Sequence, residues 1–130
     1  MLDTNICVYI IKKRNPNLQR KLDEISSGPV CVSVITYAEL QYGVERSSSK
    51  RLNQRVLDSF LSHLKVLAWD TDAADQYAKA RDYLEGKGTP IGNMDLLIAA
   101  HALSRKNILA THNTREFARV PKLKYEDGVE

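Results

Sequence analysis

The 130-residue sequence predicts a single α/β domain over residues 1–130, with a central, mainly parallel sheet of four or five strands flanked by helices in an α/β/α arrangement. Three observations carry this expectation. Short β-prone apolar runs alternate with longer segments of helical spacing. The helical segments are long enough to serve as crossovers between parallel strands. The segment at 93–103, NMDLLIAAHAL, is apolar almost all round, the pattern of a helix buried between other layers.

Taken in order, Met1 and Leu2 form the stub of a first strand that ends at Asp3, and Thr4 or Asn5 caps a helix over 6–12. Asn15-Pro16 breaks the chain before a helical run at 17–25, with Leu18, Leu22 and Ile25 at helical spacing. Ser26-Ser27-Gly28-Pro29 is a turn, Val30-Cys31-Val32 a short buried strand, and Ser33 caps a helix to about residue 44. After the polar loop Ser47-Ser48-Ser49, residues 50–64 form an amphipathic helix with Leu52, Val56, Leu57, Phe60, Leu61 and Leu64 on one side. Residues 65–68 are a third strand candidate, and 70–84 a helix with acids in its first turn. Gly88, Pro90 and Gly92 make a turn-prone entry to the buried helix, for which Asn93 is the expected N-cap. NILAT at 107–111 is a strand, 114–119 a short helix and 122–125 a last strand.

The length is enough to bury a real core. No 18-residue apolar run is present, so no membrane span is expected. At the start the basic residues follow the apolar stretch, the wrong order for a secretory signal, which points to the cytoplasm. Cys7 and Cys31 lie in apolar runs without a CxxC spacing; they read as small core residues in a reducing compartment, not as a disulfide or zinc site. The net charge of +3 decides little. Its distribution says more. From His101 to Lys124, Arg105, Lys106, Arg115, Arg119, Lys122 and Lys124 face Glu116 alone, and Arg46, Lys50, Arg51 and Arg55 make a second basic run. Basic faces of this kind suit a polyanion held by its backbone, although any one run also fits a solvated surface.

Ligands of such sheets sit beyond the carboxyl ends of the strands. Three acids are directed there: Asp3 ends the first strand, Glu39 sits in the helix after the second, and Asp95 opens the buried helix. Each alone also fits a cap or a surface role. Together they suggest a shared cation, because two carboxylates about 4 Å apart repel by about 4 kcal/mol at an effective dielectric near 20. Oxygen-only ligands select hard divalent ions, magnesium or manganese, whose bound water serves as a nucleophile toward phosphate esters.

Four stretches, MLDTN (1–5), SVITYAELQYG (33–43), PIGNMDLLIAAHAL (90–103) and THNTREF (111–117), together resemble the PIN domain of VapC-type toxins from type II toxin–antitoxin operons. That resemblance implies a homodimeric, magnesium- or manganese-dependent endoribonuclease that cleaves RNA, with tRNA, initiator tRNA included, as the favoured target. It also implies a cognate VapB-type antitoxin that silences the active site, with DNA engaged only indirectly through that partner. By motif, Asp3, Glu39 and Asp95 match the metal-holding catalytic acids. Asn5 matches a polar residue that holds a metal-bound water, and Thr111 a hydroxyl residue near the site. Asn113 stands where many PIN domains carry a fourth acid, which implies weaker metal binding; Glu116, one helical turn on, is the candidate replacement. Arg46, Lys50, Arg115 and Arg119 are candidates for the RNA backbone, and Tyr37, Tyr42 and Phe117 for base stacking. Two other readings stay open. One is a metal-free ribonuclease using His101 and His112, and the other a PIN-like module that binds RNA or a partner without cutting. A phosphatase of the haloacid dehalogenase type wants an acid where Asn5 stands.

Overall fold

A single residue, Leu2, joins the two halves of the central sheet. The computed structural model describes residues 1–13, Arg20 and 29–128. The helix expected at 17–25, Arg20 apart, and most of the turn at 26–29 lie outside these described residues. The elements are α1 (Thr4–Lys13), β1 (Cys31–Ser33), α2 (Val34–Glu45), α3 (Lys50–Leu61), β2 (Lys65–Leu67), α4 (Thr71–Gly86), α5 (Asn93–Arg105), β3 (Leu109–Thr111), α6 (Thr114–Phe117) and β4 (Tyr125–Asp127). β1 pairs in parallel with β2, and β3 with β4. Leu2 forms parallel bridges to Val32 on one side and Ala110 on the other, so the spatial order is β2, β1, Leu2, β3, β4. The expected parallel α/β/α architecture is the one observed.

Alternation along the short strands sorts the core into two layers. Met1, Cys31 and Leu109 face one side, where Leu84, Leu96, Ile98, Ala99 and Phe117 from α4, α5 and α6 bury them. Leu2, Val32 and Ala110 face the other side, against Ile6 and Ile10 of α1, Leu40 and Val44 of α2, and Leu57 and Phe60 of α3. The third residue of each triple is polar and buried: Asp3, Ser33 and Thr111, in that order along the chain. The sheet therefore ends in a row of polar groups at its carboxyl edge. Cys7 and Cys31 are free and buried in opposite layers.

Several local expectations need correction. Asp3, not Thr4 or Asn5, caps α1: its Oδ1 accepts the Ile6 N–H at 2.9 Å. Gly92, not Asn93, is the N-cap of α5. The last strand is Tyr125–Asp127, not 122–125, because Leu123 is drawn into the core and Lys122 turns the chain at φ 67° before pairing begins. α3 stops at Leu61, and the short C-terminal helix at Phe117. Ser33 caps α2 as expected, accepting the Ile35 N–H at 3.1 Å, and Asp70 caps α4 through Ala73.

Phe117 is fully buried between α5 and β3. Phe117→Ala is expected to cost about 4 kcal/mol, the usual range for deleting a buried ring. For a domain of this size that lowers Tm by roughly 15 °C, measurable by circular dichroism melts.

Candidate active site

Strand parity points Asp3, Ser33 and Thr111 toward the α5 layer. Asp3 is held at both oxygens. Its Oδ1 takes the Ile6 N–H, and its Oδ2 accepts the Thr111 hydroxyl at 2.5 Å. The Thr111 hydroxyl in turn accepts the Asn113 N–H at 2.8 Å, so the loop after β3 fixes the orientation of Asp3. Burial pushes the Asp3 pKa up, against the lowering effect of these two hydrogen bonds.

Glu39, half-buried on α2, accepts the Thr4 hydroxyl at 2.6 Å, and the same hydroxyl lies 3.2 Å from Thr36 Oγ1. Thr4 and the buried Thr36 thus set the position of Glu39. Sequence reasoning had treated Thr4 only as a cap and had not considered Thr36, because a threonine's partner thirty-odd positions away leaves no local pattern.

Asp95 occupies the third position of α5, where a carboxylate would ordinarily reach back to the N-cap N–H. Glu116 takes that place instead, accepting the Gly92 N–H at 2.9 Å and the Asn113 amide at 3.0 Å. Asp95 is left to face the site and hydrogen-bonds to Glu116. Gly92 leaves the room this needs: a Cβ there would stand 3.5 Å from an oxygen of each carboxyl. Burial, the bond to Glu116 and the charges of Glu116, Asp3 and Glu39 push Asp95 up to about 7. Burial alone would raise Glu116 as well, but the Gly92 N–H, the Asn113 amide and Asp95 outweigh it and hold Glu116 below its ordinary value.

The structure therefore brings Asp3, Glu39, Asp95 and Glu116 into one electrostatic group, with Thr111 and Asn113 as its hydrogen-bonding frame. Asn5 is exposed in the first turn of α1 and makes no side-chain hydrogen bond among the described residues. Arg115 and Arg119 flank Glu116 on and just after α6, where Arg119 donates to the Pro90 carbonyl at 3.2 Å. Arg46 and Lys50 lie at the far end of α2, stacked over Tyr42 at 5.8 Å and paired with Glu45 at 3.4 Å respectively. Phe117 is buried, which removes it from the stacking candidates; Tyr37 and Tyr42 stay exposed. His101 is buried and bonded to Ser33 at 2.7 Å, so it is closed to RNA and the His101–His112 reading falls.

Among the described residues no three His, Cys, Asp or Glu side chains stand close enough to cage an ion by themselves. The donor set still fits magnesium, which keeps several waters and is bound through one or two carboxylates. The raised pKa of Asp95 reflects the charge that burial and its neighbouring carboxylates leave without compensation.

A model of the PIN-domain family matches residues 1–123. The chain is 44% identical to ribonuclease VapC2 of Rickettsia felis, over 98% of this chain and 96% of that one. It is 41% identical to the tRNA(fMet)-specific endonuclease VapC of Salmonella typhimurium, with the same two coverages. The chain belongs to the VapC family of PIN domains. Solved structures of VapBC complexes agree with this VapC fold. The Rickettsia felis VapBC2 complex on a promoter DNA fragment superposes with a TM-score of 0.89 at 43% identity, over 97% of this chain and 96% of that chain. DNA-bound VapBC of Salmonella typhimurium gives 0.91 at 41% identity, over 99% and 97%.

A carboxyl whose pKa is higher folded than unfolded loses its stabilising proton as pH rises from its ordinary 3.8 through about 7, so the metal-free VapC fold weakens over that window. Asp95→Asn removes the repulsion. It is expected to raise Tm at pH 8 by a few degrees, about 1 kcal/mol. At pH 5, where Asp95 already carries a proton, the gain should vanish in the same melting experiment.

Proposed function

We propose that this VapC-family chain is the toxin of a type II toxin–antitoxin pair, a magnesium- or manganese-dependent endoribonuclease that cuts initiator tRNA and so stops translation in the cytoplasm. One observation carries the reading. Four carboxylates are crowded into one coupled group at the carboxyl edge of the sheet, in a chain 41% identical to a tRNA(fMet)-specific endonuclease.

Asp3 and Asp95 would hold the divalent ion, and Glu39, Glu116 and Asn5 would contact its waters. When bound, the ion supplies an activated water and offsets the charge on the phosphate under attack. The chain's own contribution is orientation. Thr111 and the Ile6 N–H keep Asp3 from rotating, and Thr4 does the same for Glu39. In the metal-free chain burial and the neighbouring carboxylates push Asp95 up to about 7, a charge penalty that a bound cation would offset. Arg115 and Arg119 stand beside this group for the RNA backbone, with Arg46 and Lys50 farther along.

The solved VapBC complexes support a VapB-type antitoxin as the partner, and through it an indirect link to DNA. An apolar groove of about 250 Å³ between α1, α2 and α3, lined by Val8, Ile11, Leu40, Val44, Val56 and Leu57, is the natural seat for an apolar segment of that partner. The chain acts as a homodimer in this reading. No described helix is long and apolar enough to cross a membrane.

The test is sequencing of RNA 5′ ends after brief expression. Wild type should produce new ends in initiator tRNA; Asp95→Ala and Glu116→Gln should not. Equal growth arrest by wild type and Asp95→Ala, without new ends, would instead identify a binding module. In vitro, EDTA should abolish cleavage and manganese restore it. Thr4→Val, which frees Glu39 without touching its charge, should lower cleavage about ten- to hundredfold in a timed assay.

A further inference from the structure

The amino-terminal end of the sheet, opposite the acids, carries a second charged feature. A cleft of about 550 Å³ opens between α4, α5 and the loop before β4. Four lysines line it, Lys79, Lys106, Lys122 and Lys124, and no carboxylate does. None of the four pairs with a carboxylate among the described residues. Asp75 and Asp82, about one turn either side of Lys79 on α4, stay outside the lining. Ala80, Ala102, Leu103 and Pro121 make part of the wall apolar, and the exposed Tyr83 adds an aromatic ring.

Backbone geometry adds an independent observation. Among the described residues, two non-glycine residues have positive φ, Lys106 at 57° and Lys122 at 67°. Both line this cleft. Lys106 closes α5 in the left-handed conformation, a position that glycine or asparagine fills at less cost. Strained backbone that presents a particular side chain is a pointer to function. The left-handed turns at Lys106 and Lys122 bring both side chains to the same acid-free cleft.

We infer that this cleft is a second RNA-binding site, where a nucleotide of the substrate lays its base on the apolar wall and its phosphates meet the lysines. The choice of RNA over another polyanion rests on the ribonuclease reading above. β3 is three residues long, roughly 10 Å, so the two ends of the sheet lie within the span of one folded RNA passing over the surface. The lysines would hold the RNA while the other end of the sheet cuts it.

Asparagine fits the left-handed backbone at least as well as lysine and carries no charge. Lys106→Asn/Lys122→Asn is therefore expected to melt at or above the parent temperature while binding RNA more weakly. Affinity for fluorescein-labelled bulk tRNA and for a single-stranded RNA oligonucleotide is measured in the Asp95→Asn background at several salt concentrations. Loss of two phosphate contacts should reduce the salt slope by about 1.4. The parent's advantage should then shrink about sevenfold between about 50 and 200 mM salt. An unchanged affinity and slope overturns the inference. So does a loss confined to a polyglutamate probe, which would make the cleft a seat for an acidic peptide. In the active background, cleavage of tRNA with undiminished affinity in the lysine variant sinks the cleft alone. Weaker RNA binding by the lysine variant, with no cleavage by wild type, sinks the nuclease reading and leaves the cleft.

Discussion

Mutual repulsion among carboxylates is the constraint around which this molecule is arranged. Asp3, Glu39, Asp95 and Glu116 would separate if each were free to choose its rotamer, and none is. Asp3 is fixed by a backbone N–H and the Thr111 hydroxyl, Glu39 by Thr4, and Glu116 by the Gly92 N–H and the Asn113 amide. Asp95 bears most of the cost: burial and the charges of its neighbours push its pKa up to about 7. Anions held together by private donors cost the fold stability.

The frame that imposes this crowding is a very short sheet. The three central segments, residues 1–3, β1 and β3, leave no slack: two residues of each feed the two core layers, and the third is a polar group at the carboxyl edge. Asp3, Ser33 and Thr111 all occupy that third place. Shifting any of them by one residue would send its side chain to the other face and replace it with a hydrophobe. Ser33 shows that the edge also serves folding. It caps α2 and bonds the buried ring of His101 on α5, so the start of one helix is tied to the middle of another.

Charge is distributed along the strand direction. The acids gather at the carboxyl edge, while an acid-free group of lysines lines the cleft at the amino edge. Arg115 and Arg119 border the acids themselves. A mildly basic chain thus carries a basic cleft at one edge of its sheet and a concentrated negative group at the other. Total charge conceals this. Only position reveals it.

How much was legible beforehand differs from element to element. The alternation of strand and helix, the buried segment after Gly92 and the three acids at 3, 39 and 95 could be read from the sequence, because periodicity and local composition encode burial and helix ends directly. The role of Glu116 could not be decided between a surface acid and a substitute for Asn113. That choice depends on α6 packing back against the N-terminus of α5, where the Gly92 N–H waits for an acceptor. The caps at Asp3 and Gly92, and the delayed start of β4, were set by contacts between distant segments that outweighed local preference. The sequence determined which residues are polar, apolar or turn-forming, and hence the layers. Only the tertiary structure decided which acids act on one another, because that depends on distances between side chains that no spacing along the chain records.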